Sequence, residues 1–560
     1  MSLQTAPSTP PDDTPPLGLH DPDRIQKPIG NDIRRRPWES FGVFAFGAVG
    51  FTALGNWMVV TLHVVGFDAL ERYTRALMVW HNNPPKLAAI GLDQPPLTTV
   101  ALTPLTIFRD PVSSLAVIPV GSAIFAGLLF VALNTVMRRC GFIAPVRYLL
   151  ILVLACNPLF AFYASSGRSQ MLWASLFVAA ASAVVAWYST ADIRFLMTAG
   201  LVFSVAALAD YDSLIWFGLT ALVIATVLSR LGAKNEEIEG SVVGFATPVV
   251  YVIAVWAVVN LLVLKNPIAW INPHSTGASL GLRAILEATG QLILAAAPLA
   301  IAVLPMLVFR AMTRRDVLSW WLVGAMVIAI VQPGVSAYYG LTDSPMAMGS
   351  GVLILVATIV GGIWLVRSSG GSQGLAIALV VALAVSIPWT LSQMKTYKYQ
   401  SVEGNFAHAL TSGHSQEGVL NHSGQVVGYD PELAMADYIK DHVSGSQAIL
   451  TDNSVTYGVI LLTGRPDLFF DRVDRGDGPW LRARNEPPAK VKYLLLTTSP
   501  KDLLRKAYPD AARGTDSRLP IAYRNDRYVL VEVPSSFSST TTGSTSDSSA
   551  NTADNAGSTP

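Results

Sequence analysis

The sequence predicts an α-helical polytopic membrane protein of about eleven transmembrane helices with a small extracytoplasmic α/β domain near its C-terminal end. Hydrophobic residues make up 51% of the 560 positions, charged residues only 14%, and the mean hydropathy is +0.43. Many apolar stretches approach or exceed the roughly 18 residues needed to cross a bilayer. After residue 396, strand-like runs alternate with amphipathic helical patterns. The net charge of +1 gives no indication of a nucleic-acid partner.

The apolar runs define the predicted membrane domain. A backbone in lipid finds no water for its N–H and C=O groups, so each span should be helical. The predicted spans are 41–65, 113–136, 147–163, 170–188, 194–209, 213–229, 241–264, 289–309, 317–334, 347–366 and 373–392.

Lys and Arg in the connecting loops predict the orientation, because cytoplasmic loops carry an excess of them. One set of loops holds Arg138, Arg139, Arg147, Arg194, Arg230, Lys234, Arg310, Arg314, Arg315 and Arg367. The other set, without the long first loop, holds Arg168, Lys265 and Arg283. The first set is predicted to be cytoplasmic together with the N-terminus. Eleven spans then place the first loop and the C-terminal region outside.

Four segments follow from this layout. Residues 1–38 are predicted to be a disordered cytoplasmic segment, and 39–393 form the transmembrane domain with a large extracytoplasmic loop at 66–112. Residues 394–534 form the outer α/β domain, with strand-like runs such as "QAILTD", "VKYLLLTT" and "RYVLVEV". The Ser/Thr-rich tail, 535–560, cannot form a core and is predicted to be disordered.

The first outer loop carries the most informative polar residues. Asp68 follows the first span directly, where a carboxylate could act as a general base or metal ligand towards a lipid-borne substrate. The local pattern also fits a helix N-cap, with Glu71 completing a sequence similar to a capping box. The two interpretations can coexist. The segment "KLAAIGL", between two Pro-Pro pairs, is a candidate short interfacial helix.

Three further polar positions on the same predicted side have two interpretations each. Arg168 is either an anion-binding cation or an arginine that reaches to lipid headgroups. Asp210, in the turn "ADYD", either orients the first loop or lies in a solvated turn. Arg283 either contacts a lipid phosphate or belongs to an ordinary connecting loop. His408, His414 and His422 match no metal-ligand spacing, so no metal ligand is assigned.

Three stretches resemble the GT-C superfamily of polytopic glycosyltransferases, in particular the dolichyl-phosphate-mannose–protein mannosyltransferases and their bacterial lipid-modifying relatives. The first is the long outer loop with an early acid, "FDALER", followed by "LDQPPL". The second is the helical pair that begins at "SSGRSQMLW" and reaches the turn "ADYD". The third is the small domain after the last span. The similarity covers roughly residues 40–533, and the Ala/Val-rich spans with a Pro-rich head are similar to actinobacterial proteins.

This resemblance implies a sugar transfer from a polyprenyl-phosphate donor to a cell-envelope acceptor on the outer membrane face. Asp68 matches the family's first-loop acid, which acts as a base on the acceptor hydroxyl. Ala69 stands where some members have a second acid, which leaves Glu71 or Asp93 as substitutes. Asp210 replaces the basic residue of the family's turn. His81, Arg168, Arg283 and Asp210 are the candidate contacts to the substrate or its phosphate.

The phosphate leaving group needs positive charge, from Arg168, Arg283 or a divalent ion, and the sequence alone identifies no cofactor. The expected partners are the lipid-linked sugar donor, a lipid or glycan acceptor and membrane lipids, without nucleic acid. Two other classes stay open: a lipid or glycan transporter and a non-enzymatic envelope scaffold or sensor. A transporter would need ionisable residues deep within spans, and the spans contain almost none.

Overall fold

The computed structural model describes residues 36–92, 95–268, 281–339, 349–398, 402–421, 426–472 and 478–534. Its first helices form the first span and the segments of the following loop: α1 (Pro37–Asn56), α2 (Phe67–His81), α3 (Pro96–Leu102) and α4 (Arg109–Ser113). The next helices carry most of the membrane domain: α5 (Ile118–Arg139), α6 (Ala144–Ala155), α7 (Pro158–Ser165), α8 (Gln170–Thr190), α9 (Ile193–Ala209), α10 (Ser213–Arg230), α11 (Asn235–Leu264), α12 (Leu282–Thr313), α13 (Val317–Tyr338), α14 (Gly349–Ser368) and α15 (Gln373–Thr396).

The remaining elements are short helices and strands. The helices are α16 (Glu403–Ser412), α17 (Asp430–His442), α18 (Asn453–Thr463), α19 (Gly478–Asn485), α20 (Leu503–Ala507) and α21 (Pro509–Arg513). The strands are β1 (Ile449–Thr451), β2 (Phe469–Phe470), β3 (Tyr493–Thr497), β4 (Ile521–Arg524) and β5 (Tyr528–Glu532). One compact unit reaches to Ala436 and includes Tyr457–Pro466, and a second comprises Asp437–Thr456 with the chain after Pro466.

The helices confirm a multi-pass membrane protein. Among the described residues, nine helices are long and apolar enough to cross a membrane: α1 continued to Thr61, α5, α8 and α10 to α15. The predicted span 147–163 is a broken pair, α6 and α7, which meet at a bend of 75°. The predicted span 194–209 corresponds to α9, which has only 17 residues. The orientation of these helices stays a prediction.

The break between α6 and α7 has a local cause. Pro158 cannot donate the hydrogen bond that would continue α6, and the residue before a proline avoids the helical conformation. Asn157 accordingly has extended backbone angles, φ −68° and ψ 122°. Its buried side chain then accepts hydrogen bonds from the N–H groups of Leu159 and Phe160 and starts the new helix. This redirected helix carries Tyr163 and leads to Arg168.

Close helix packing forms the core of the membrane domain. Helix α5 packs against α1, α7 and α8, while α9 packs against α8 and α11. Helix α12 contacts α13, α14 and α15. A Cβ added at Gly47 of α1 would lie 3.0 Å from the Cα of Gly127 in α5. Small residues here let the two backbones approach, as is common between membrane helices.

The loop between α1 and α5 is folded and contains the helices α2, α3 and α4. Helix α2 buries one face, which includes Leu70, Tyr73 and Leu77. The Tyr73 hydroxyl donates to the carbonyl of Ile118 at 2.7 Å and fixes α2 to the start of α5. The predicted interfacial helix "KLAAIGL" forms only a short 3₁₀ turn, Leu87–Ile90.

The second unit contains a five-stranded sheet with the order β2-β1-β3-β5-β4. Strand β1 is parallel to β2 and β3, and β5 is antiparallel to β3 and β4. The three strand-like runs of the sequence correspond to β1, β3 and β5, which confirms the predicted mixed α/β region. The domain limits 394–534 stay a prediction.

Candidate active site around Arg168

A buried arginine lies between two carboxylates. Arg168 is 4% exposed, and its Nη2 lies 3.1 Å from the Oδ1 of Asp68. Its Nη1 donates to the Oε1 of Glu403 at 3.0 Å, and Glu403 is fully buried. The Tyr163 hydroxyl donates to the same carboxylate oxygen at 2.7 Å. The guanidinium also lies 5.3 Å from the ring centroid of Phe162, within the range of a cation–π contact.

Two glycines allow this arrangement. A Cβ on Gly66 would lie 2.6 Å from the Oδ1 of Asp68 and 2.9 Å from the Nη2 of Arg168, which would separate the pair. Gly167 has φ +76°, a conformation that favours glycine, and its N–H donates to the Ser122 hydroxyl at 2.9 Å. The chain therefore reaches Arg168 in a fixed direction.

Asp68 does not form the predicted N-cap. Helix α2 begins at Phe67, and its N-cap is Gly66, which has no side chain to cap with. Asp68 therefore lies within the first turn, where the Arg168 guanidinium attracts its carboxylate. Glu71 completes no capping box, because it accepts a hydrogen bond from the Nε of Arg75 at 2.9 Å.

The charges of this cluster are strongly coupled. Burial alone would lower the pKa of Arg168, but Asp68 and Glu403 outweigh it and hold that pKa above its usual range. A buried charge is tolerated only with such partners. Glu403 is inaccessible, whereas the Asp68 side chain is 34% exposed. Asp68 is therefore the carboxylate of the cluster that an incoming molecule can reach.

A small cavity adjoins Arg168. Two arginines, Arg72 and Arg168, line it together with the hydroxyl-bearing residues Thr98, Ser122 and Ser169. The Nη1 of Arg72 is buried and has no hydrogen-bond partner among the described residues. Two guanidinium groups beside hydroxyls form a suitable environment for a phosphate.

Asp210 lies close enough to Arg72 for electrostatic attraction, in the turn between α9 and α10. Its Oδ1 accepts the N–H of Asp212 at 3.0 Å. Burial, and next the charge of Asp212, raise the pKa of Asp210 to about 7, although Arg72 lowers it. Gln332 donates to the carboxylate of Asp212. The turn is thus held by a hydrogen bond of its own and by Gln332 of α13, and the substrate role predicted for Asp210 stays a prediction.

His81 has both ring nitrogens engaged at the end of α2. Its Nε2 lies 2.9 Å from the carbonyl oxygen of Ile107, and its Nδ1 lies 3.1 Å from the Nε of Arg109. One neutral tautomer satisfies both contacts, with Nε2 as the donor and Nδ1 as the acceptor. His81 therefore holds α2 against the loop before α4. The contact to substrate predicted for His81 stays a prediction.

The other predicted site residues have no part in the contacts described above or lie outside the described structure. Arg283 is exposed in the first turn of α12. Asp93 and His422 lie outside the described residues. The sequence interpretation did not include Glu403, Tyr163 or Arg72. Glu403 and Arg168 are 235 residues apart in the chain, so no local pattern connects them.

The fold resembles that of known membrane transferases. No protein-family model matches the chain, and neither does any curated protein. The crystal structure of ArnT from Cupriavidus metallidurans bound to undecaprenyl phosphate matches with a TM-score of 0.53 and 13% identity, over 89% of this chain and 98% of that one. The apo state of the same protein matches with a TM-score of 0.51 and 14% identity, over the same shares of both chains.

The chain has the GT-C fold. The coverage matters here, because it extends over nearly the whole of ArnT and not over a few helices. An oligosaccharyltransferase from Archaeoglobus fulgidus matches with a TM-score of 0.41 and 10% identity, over 82% of this chain and 69% of that one. Within the GT-C fold, the loop after the first span carries Asp68, as the sequence resemblance implies.

Proposed function

We propose that the protein is a membrane glycosyltransferase that moves a sugar from a polyprenyl-phosphate donor to a cell-envelope acceptor. The observation that carries this proposal is the pairing of the accessible Asp68 with the buried Arg168, whose guanidinium also lines a cavity with Arg72. A carboxylate that can act as a base on the acceptor hydroxyl and two cations that can bind a phosphate thus lie together. The ligand of the similar ArnT structure, undecaprenyl phosphate, supports the same class of donor.

The roles follow from the chemistry of the transfer. The acceptor oxygen forms a bond to the anomeric carbon of the sugar, and the bond from that carbon to the phosphate oxygen breaks. Asp68 accepts the proton of the acceptor hydroxyl. The phosphodiester becomes a monoester and gains negative charge, which Arg72 and Arg168 stabilise. Glu403 is buried and touches neither the sugar donor nor the acceptor. It acts by holding Arg168 in place.

We assign the compensating positive charge to arginine. The guanidinium of Arg168 lies between the carboxylates of Asp68 and Glu403, where a divalent ion would otherwise need to bind. Arg72 adds a second cation, whose buried Nη1 has no hydrogen-bond partner among the described residues. Arg283 is not needed in this arrangement.

We place the reaction on the outer face of the cytoplasmic membrane, with the N-terminus in the cytoplasm. The support is the excess of Lys and Arg in the loops on the opposite side from the first loop. The first loop, 66–112, and the α/β domain, 394–534, then lie outside. A lipid-linked donor fits this location, because nucleotide sugars are absent there.

The test replaces Asp68 with Asn in the native host and compares envelope glycans and lipids with those of the wild type. Asn keeps the size of the side chain but cannot accept a proton, so we expect the product glycan to be lost or strongly reduced. Asp110→Asn is the matched control, because Asp110 is an exposed carboxylate of the same loop. If a well-expressed Asp68→Asn strain keeps its glycans unchanged, the scaffold interpretation replaces the transferase.

A further inference from the structure

A second polar cluster lies just before the first loop. It contains one imidazole and two carboxylates: the Nδ1 of His63 lies 2.9 Å from the Oε2 of Glu417 and 3.2 Å from the Oδ1 of Asp430. One ligand atom from each residue lies within 4.8 Å of the others. The three residues come from separate places: the end of the first span, the loop after α16 and the first turn of α17.

The backbone is shaped to hold this cluster. His63 has φ 54°, a left-handed conformation that costs free energy in a residue other than glycine. Gly428 has φ 98°, and an added Cβ there would overlap the carboxylate of Glu417. Such strain and close approach are typical of positions where a side chain must be aimed at a ligand.

Hydrogen bonds orient the Glu417 carboxylate. It accepts the N–H of Tyr429 at 3.0 Å and the N–H of Asp430 at 3.2 Å. The Tyr429 ring lies 4.6 Å from the His63 ring, and its hydroxyl donates to the carbonyl of Val59 at 3.1 Å. These contacts are the kind of second layer that fixes metal ligands and sets their direction.

We propose that His63, Glu417 and Asp430 bind a divalent transition-metal ion, with Zn²⁺ as the ion that fits best. One imidazole and two carboxylates form a nitrogen and oxygen donor set that suits Zn²⁺, and three protein ligands leave a position for water. A single N–H on His63 can fully satisfy only one of its two carboxylates. A doubly charged ion bonds to both, so it explains why two carboxylates converge on one imidazole nitrogen.

The ion would stabilise the start of the first loop. His63 precedes Gly66 by three residues, and the carbonyl of Leu62 accepts the N–H of Gln416 at 2.9 Å. Metal binding would therefore connect the end of the first span to the segment between α16 and α17. The proposal does not depend on glycosyl transfer, because it concerns metal binding by residues that the proposed reaction does not use.

The test uses the purified full-length protein in detergent. The protein is stripped with EDTA, equilibrated with ZnCl₂, desalted and assayed for zinc by mass spectrometry, and titrated with Zn²⁺ by calorimetry. We expect about one equivalent of zinc in the wild type. His63→Ala should lose it, and Asp430→Asn should bind Zn²⁺ at least about tenfold more weakly. His414→Ala is the control, because His414 is exposed in the same segment, and should bind as the wild type does.

Thermal unfolding provides the second measurement, because a ligand that binds the folded state raises its unfolding midpoint. Zn²⁺ should raise the midpoint of the wild type and of His414→Ala, but not that of His63→Ala. Should Asp430→Asn and His63→Ala retain as much zinc as the wild type, the site is elsewhere and the proposal is wrong. If the wild type retains no zinc and EDTA does not change its unfolding midpoint, the cluster is only an ion pair and the proposal is wrong.

Discussion

Glu403 and Arg168 form a hydrogen-bonded ion pair at 3.0 Å, with the carboxylate fully buried and the guanidinium nearly so. The pair links the first turn of α16 to the segment between α7 and α8. Glu403 also balances the charge of the buried cation, which in the proposed reaction must stay in place when its other partner, Asp68, engages the acceptor.

Replacing Glu403 with Gln should destabilise the protein by about 3–5 kcal/mol, the usual effect of removing one partner from a buried pair. Arg168 keeps Asp68 as a partner, so we expect the lower end of this range. Thermal or chemical unfolding in detergent measures the change. Asp437→Asn is the control: its exposed pair with Lys440 should contribute little, and an equal loss in both variants would contradict the argument.

Gly66→Ala should reduce activity by at least about tenfold, since a shift of about 1 Å at a reacting group can cost a hundredfold. The backbone of Gly66 has φ −92° and ψ 142°, which alanine adopts freely, so the effect is steric and acts on the pair of Asp68 and Arg168. A transfer assay with a polyprenyl-phosphate sugar measures it. Gly218→Ala, where the added methyl meets nothing within 4 Å, should leave activity unchanged; full activity in both variants would exclude a tight pair.

Arg72→Gln should weaken the binding of a short-chain polyprenyl phosphate by about tenfold, because a charge-assisted hydrogen bond contributes about 1.5–3 kcal/mol. Calorimetry on the purified protein measures the affinity. Arg75→Gln removes a cation from the same helix that instead pairs with Glu71, and it should bind the phosphate normally. Equal weakening in the two variants would indicate a general loss of positive charge and not a defined site.

Stability should fall as the pH rises from about 4 to about 7, because Asp210 binds its proton more tightly in the folded state. Its folded pKa is about 7, against an ordinary value of 3.8, as a result of burial and of Asp212. Between these values the native state holds more protons than the unfolded state, so the free energy of unfolding decreases, by at most about 1.4 kcal/mol per pH unit. Unfolding midpoints at several pH values test this, and Asp210→Asn should flatten the curve. An unchanged slope in that variant would assign the effect to another group.

The orientation is open to direct measurement with a membrane-impermeant maleimide. In a Cys156→Ser background, Phe108→Cys in the first loop should react in intact cells, since Phe108 is 72% exposed. Glu236→Cys, in the first turn of α11, should react only after permeabilisation. The opposite pattern would place the first loop in the cytoplasm and remove the case for a donor on the outer face.

The sequence predicts most of the membrane fold because apolar runs and helical spans have the same physical cause. It also indicates Asp68 and Arg168, which are charges next to long apolar segments. It does not indicate Glu403, because the pair with Arg168 forms only through tertiary packing. Nor does it indicate the steric role of Gly66, because the atoms that an added Cβ would meet include the Nη2 of Arg168, about a hundred residues away in the chain.

The bend at Asn157 affects how deep in the membrane we expect Arg168 to lie. As one straight helix, the 20 residues of α6 and α7 would measure about 30 Å, the thickness of the hydrocarbon layer. Bent by 75°, they advance only about 21 Å along the axis of α6. We therefore expect the guanidinium of Arg168 to lie recessed below the headgroups, where a donor could approach it laterally while its isoprenoid chain remains dissolved among the lipid tails.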